Sequence, residues 1–108
     1  MNLLQDKVAI ITGGSRGIGE AIVRKFAENG ARIAFTYISD SSKERSEKLV
    51  AELEAKGTTI KCYRSDAASF SDAETFINEV VKDFGRVDVL VNNAGITRDT
   101  LMLRMTEQ

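Results

Sequence analysis

Gly13, Gly14, Gly17 and Gly19 follow directly on an unbroken apolar run, Val8 to Ile11. Glycines at such points let the backbone turn sharply and approach a ligand, because no Cβ stands in the way. A helix beginning at their far end presents free N–H groups and the positive end of its dipole, a place that suits a phosphate. Two further polar clusters end apolar runs: Asp66-Ala67, and Asn92-Asn93-Ala94-Gly95. With no histidine in the chain, the commonest general base and metal ligand is missing, and no metal-ligating set stands out.

These residues need a scaffold, and the hydrophobic periodicity supplies one. The pattern predicts a first strand over residues 7–12 and a helix over 17–29 with Ile18, Ile22 and Phe26 on one face. A second strand is expected over 31–37. A second helix follows to about Lys56, opened by the capping box Ser41-Ser-Lys-Glu44 and carrying a thin stripe of Leu49, Val50 and Leu53. A third strand is expected over 59–63. A third helix, behind a second box at Ser71-Asp-Ala-Glu74, carries Phe76, Ile77, Val80, Val81 and Phe84. A fourth strand spans 87–91, and residues 96–108 read as a loop and an amphipathic turn. Gly30, Gly57 and Gly85 stand where the three helices stop.

The order β-α-β-α-β-α-β implies an α/β fold with a parallel sheet and right-handed crossovers. With strand order 3-2-1-4 it is a partial doubly wound, Rossmann-type sheet. The ligand crevice of such a sheet lies at the carboxyl ends of the strands, here between strands one and four. The glycine turn and Asn92-Asn93-Ala94-Gly95 both come to that point.

The bulk properties narrow the function. The chain has 108 residues, enough for one domain at most, and 15 Lys and Arg against 16 Asp and Glu give a net charge of −1. That balance argues against nucleic-acid binding and against a polybasic membrane patch. No apolar run has membrane-spanning length, and the first residues lack the shape of a signal peptide. A single cysteine, Cys62, excludes an intrachain disulfide and suits a reducing, cytoplasmic setting; its apolar neighbours suggest a packed thiol.

The spacing Thr12-Gly-Gly-Ser-Arg-Gly-Ile-Gly19, with Asp66-Ala67 and Asn92-Asn-Ala-Gly95, closely resembles the short-chain dehydrogenase/reductase family from about Leu4 onward. Within it, Gly95-Ile-Thr-Arg-Asp99 and Leu101 to Met105 resemble the 3-oxoacyl-acyl-carrier-protein reductases, the ketoreductases of fatty-acid elongation. The resemblance implies that Gly13, Gly14, Ser15, Arg16, Gly17, Ile18 and Gly19 wrap the pyrophosphate and adenosine ribose of a nicotinamide dinucleotide. It implies that Asp66 and Ala67 hold the adenine, that Asn93, Ala94 and Gly95 line the ribose and pyrophosphate bridge, and that Asn92 braces strand four. It further implies an acyl-carrier-protein thioester as substrate and a homotetramer for the full-length protein.

NADP(H) is expected over NAD(H). The family's aspartate at the end of strand two, which would repel a 2′-phosphate, is replaced here by Tyr37. Arg16 can offer a charge-assisted contact worth about 1.5–3 kcal/mol, and Tyr37 and Ser39 can add stacking or a hydroxyl. Asp40 would oppose this if the turn carried it back toward the ribose.

The family's Tyr-x-x-x-Lys pair is not found: Ser41 lies four residues after Tyr37, and Ala67 four after Tyr63. No catalytic residue is therefore assigned. Residues 1–108 are expected to form the N-terminal dinucleotide-binding part of a Rossmann domain, without turnover of their own. The alternatives are a non-catalytic NADP(H)-binding module and a folded remnant with an empty turn. Strand four, left without a neighbour, is expected to make the fragment self-associate through its open edge.

Overall fold

The computed structural model describes residues 3–15, 17–66, 69–93 and 103–105. Strand β1 (Val8–Ile11) leads to helix α1 (Gly17–Glu28), strand β2 (Arg32–Tyr37) to helix α2 (Asp40–Glu54), and strand β3 (Ile60–Arg64) to helix α3 (Phe70–Phe84). Strands β4 (Val89–Val91) and β5 (Leu103–Met105) complete one sheet in the order β3-β2-β1-β4-β5. The first four strands are mutually parallel, with Ala9 beside Ile33 on one side and beside Val89 on the other. The predicted order 3-2-1-4 is therefore present.

β1 and β2 are central because both their faces are covered. Alternate residues point to opposite faces. Ala9, Ile11, Ile33 and Phe35 pack with Val23 of α1 and Leu49 and Leu53 of α2, while Val8, Ile10 and Ala34 pack with Phe76, Val80 and Phe84 of α3. The unbroken apolar run of β1 is what a strand buried on both faces requires.

Several expectations are corrected. α2 begins at Asp40 behind Ser39, not behind Ser41; the Asp40 carboxylate sits in the first turn, where the helix dipole favours it. α3 begins at Phe70, and the capping serine is Ser69, whose Oγ accepts the Asp72 N–H at 3.3 Å. The boxed spacing exists, two residues earlier than expected. On α1, Ile18 does not join the core face; it is 66% exposed, and Gly19 and Val23 occupy the buried positions.

The largest correction lies beyond β4. Residues 103–105 form a strand rather than part of an amphipathic turn, and it pairs antiparallel with β4, Leu90 opposite Arg104. The unpaired N–H and C=O groups along β4 are a template for any extended segment within reach, and β5 takes that place. The expected self-association through an open β4 edge thus loses its premise.

Among the described residues, no helix is long and apolar enough to cross a membrane. The Cys62 thiol is half-buried against the α1/α2 side of the core, and burial pushes its pKa up.

Candidate functional site

The glycine turn leaves the carboxyl end of β1 and is held from three directions. From β2, the Thr36 hydroxyl accepts the Gly13 N–H at 2.9 Å and the Thr36 carbonyl accepts the Gly14 N–H at 3.1 Å. From β4, the Asn93 side-chain amide donates to the Gly13 carbonyl at 3.0 Å, and Asn92 Oδ1 accepts the Thr12 hydroxyl at 3.1 Å. From α2, Arg45 Nε donates to the Ser15 carbonyl at 3.0 Å.

The turn is also tight. A Cβ on Gly19 would stand 1.9 Å from the Gly13 carbonyl oxygen and 2.7 Å from Asn93 Nδ2, so no other residue fits there. A Cβ on Gly14 would lie 2.7 Å from Cβ of Phe35, which forms the floor beneath the turn. Gly13 and Gly17 adopt φ of 69° and 62°, a conformation that costs L residues energy. Gly13, Gly14, Gly17 and Gly19 thus bring backbone without Cβ atoms to the start of α1, the arrangement that admits a phosphate to a helix N-terminus.

The other predicted site residues fall around this turn to different degrees. Ser15 is 5% exposed and Ile18 is open to solvent. Tyr37 ends β2 but is only 8% exposed, so it offers a ligand little surface; Ile38 and Ser39 are what that end presents. The Ser39 hydroxyl lies 2.9 Å from that of Ser41 and 3.0 Å from that of Ser42, a cluster at the start of α2. Asp66 follows β3, its N–H donating to Asp72 Oδ2 at 3.2 Å. Arg16, Ala67, Ala94 and Gly95 lie outside the described residues. Asp40 pairs with Arg64 at the end of β3.

Sequence reasoning missed Thr36 and Arg45. Thr36 carries a signal, a hydroxyl at the end of a strand that flanks β1. Arg45 carries none, since it stands 30 residues from Ser15 on a polar helix. Asn93 was expected to line the ligand, and it is also an anchor of the turn.

The Tyr63 hydroxyl donates to Asp83 Oδ2 at 2.7 Å between β3 and α3. Burial first, and then the bond to Asp83, push its pKa above the ordinary phenol value, which makes it a poorer proton donor. A cavity of about 450 Å³ opens at the opposite end of the sheet, among Gln5, Gly30, Arg32 and Thr58. Among the described residues, no group of three or more His, Cys, Asp or Glu is placed to hold a metal ion.

Residues 7–108 match the family described as short chain dehydrogenase. The chain belongs to that family. It is 47% identical over 102 residues to the 3-oxoacyl-[acyl-carrier-protein] reductase of Staphylococcus aureus strain Mu50, covering 94% of this chain and 41% of that one. It is 41% identical over 105 residues to the corresponding reductase of Thermotoga maritima, covering 97% and 42%. Among solved structures, a blue fluorescent protein from a metagenomic library in complex with NADPH superimposes with a TM-score of 0.84 at 52% identity, over 89% of this chain and 38% of that one. A short chain dehydrogenase from Burkholderia cenocepacia in complex with NADP gives 0.82 at 44% identity, over 90% and 39%. This chain thus spans about two fifths of the length of the curated relatives it matches.

Proposed function

We propose that this chain is the NADP(H)-binding part of an oxidoreductase that reduces 3-oxoacyl thioesters carried on acyl carrier protein. The observation that carries the reading is the cradle at Gly19, where the Gly13 carbonyl and the Asn93 amide leave no room for a Cβ. The likeness to reductases of that name and to family members crystallised with NADPH and NADP supports the substrate class and the cofactor. A cytoplasmic setting and a homotetrameric full-length protein belong to the same reading.

In this reading each residue has a bounded task. Gly13, Gly14, Ser15 and Gly17 present backbone to the pyrophosphate, and Gly19 lets the helix start lie against it. Thr36 and Asn93 hold the turn in shape before any ligand arrives. Asp66 and Ala67 receive the adenine, and Arg16 with Ser39 meets the 2′-phosphate. Asp40 is engaged by Arg64, so its charge is offset rather than set against that phosphate. When bound, the reduced nicotinamide supplies hydride to a carbonyl. No Tyr-x-x-x-Lys occurs within these 108 residues, so none of them is assigned the proton that the reduced carbonyl would need.

Titration with NADPH, followed by nicotinamide fluorescence, tests this. The expected result is a blue shift on binding, lost in Arg16→Glu, with NADH binding weaker by about one to two decades. Equal affinity for the two cofactors would overturn the NADP(H) assignment, and no binding of either would overturn the site. With an acetoacetyl thioester the pure chain is expected to give no turnover; NADPH oxidation would show that catalysis resides within these residues.

A further inference from the structure

We infer that Arg45 is a positioning residue for the dinucleotide, acting through the Ser15 carbonyl rather than by touching the ligand. The inference rests on the binding function proposed above. Arg45 stands in the second turn of α2, its side chain 59% exposed, yet its Nε is spent on a backbone carbonyl of the glycine turn at 3.0 Å.

Its own position is set by a chain of alternating charges. Arg45 Nη2 lies 3.8 Å from Glu20 Oε1, Glu20 Oε2 lies 2.9 Å from Arg24 Nη2, and Arg24 Nη1 lies 2.6 Å from Glu52 Oε2. The row runs along the seam between α1 and α2 and ends on the turn. A free arginine carries much rotamer entropy, and the row holds part of that freedom in check before the bond to Ser15 is made.

The other anchors of the turn named above are uncharged: the Thr36 hydroxyl and carbonyl, and the Asn92 and Asn93 amides. They hold Thr12, Gly13 and Gly14. Arg45 holds the next residue, Ser15, where the turn is about to enter α1. A bond from a charged donor is about twice as strong as a neutral one. It therefore secures the part of the turn closest to the helix N-terminus, and a turn already in its binding shape need not be ordered by the ligand.

An anchor and a direct ligand contact give different signatures. In the anchor case Arg45→Met weakens NADPH and NADH by the same factor, about tenfold for one charge-assisted bond, and Arg45→Lys, which keeps a charged donor, recovers part of the loss. Glu20→Gln gives a smaller loss of the same kind and adds little to Arg45→Met. Amide hydrogen exchange of the ligand-free protein reads the clamp separately. Gly13 and Gly14 should exchange faster in Arg45→Met, while Ile10 in the centre of β1 keeps its protection.

A loss confined to NADPH would make Arg45 a 2′-phosphate contact and overturn the inference. So would unchanged affinity for both cofactors, or faster exchange at Ile10 as well, which would mark general loosening. If the unaltered protein bound neither cofactor, the proposed function would fail and this role with it. Exchange that still quickened at Gly13 and Gly14 alone would then leave Arg45 as an anchor of a turn that serves no dinucleotide.

Discussion

On one face of the sheet, α1 and α2 press Val23, Leu49 and Leu53 onto Ala9, Ile11, Ile33 and Phe35. On the other face, among the described elements, α3 sets Phe76, Val80 and Phe84 against Val8, Ile10 and Ala34, with Ile77 and Leu90 half-covered beside them. The two-helix face is also tied across its seam, Arg24 of α1 reaching Glu52 of α2. The turn rests on the α1/α2 side, since Gly14 sits on Phe35 and Ser15 is bonded from α2. A binding turn needs a backbone that does not shift, and burial is what resists shifting.

That contrast can be broken by truncating one phenylalanine on each face. Phe35→Ala is expected to cost about 3–5 kcal/mol and to lower cofactor affinity, because the floor under Gly14 is removed. Phe76→Ala, next to side chains with open space beside them, should cost about 1–2 kcal/mol less as the site collapses. Urea melts of both variants decide it. Equal losses, or a larger one for Phe76→Ala, would mean the two faces are equally rigid.

A smaller effect concerns the joint between β1 and β4, which both faces share. The Asp88 carboxylate accepts the Val8 N–H at 2.8 Å and is gripped by Arg86. The bond from Arg86, first among the causes, holds its pKa below the usual aspartate range. A carboxyl lowered on folding stabilises the folded state above its unfolded pKa, near 3.9. That contribution is lost as the pH falls through the lower, folded value. Stability should therefore decline on acidification below about pH 4. Asp88→Asn should cost about 1 kcal/mol at pH 7 and flatten this acid limb; an unchanged limb would remove Asp88 from the account.

The smallest effects are at the surface. Arg24→Ala breaks ion pairs that are solvated, and about 0.2–1 kcal/mol is expected, diminishing with added salt. A larger, salt-insensitive loss would show that the α1–α2 seam depends on its charges more than on Val23, Leu49 and Leu53.

Much of the scaffold was legible from local signals. The apolar run of β1, the stripe of α3 and the stopping glycines marked the elements, and the φ of 89°, 94° and 88° at Gly30, Gly57 and Gly85 is what those positions required. Helix starts were less legible, because Ser39, Ser41 and Ser42 crowd one end and Ser69 and Ser71 another, and a serine caps equally well at any of them until the chain path chooses. β5 was not legible at all. Its pairing depends on an edge that β4 offers only after the sheet has formed.

By itself, then, the sequence determined the alternation of strands and helices, the parallel order 3-2-1-4, the family, and the place of the glycine turn. The alternation and the place of the turn follow from periodicity and backbone freedom acting over a few residues, the order 3-2-1-4 from the doubly wound pattern that this alternation implies, and the family from the resemblance of the motifs around Gly13, Asp66 and Asn92 to a known one. Only the tertiary structure decided that Thr36, Arg45 and Asn93 converge on the turn, that Asp40 is taken by Arg64, and that Tyr37 is buried. Those outcomes join residues 23, 30 and 80 positions apart in the case of the three anchors. Hydrogen bonds and burial over such separations depend on which strands lie side by side, a property of the assembled sheet.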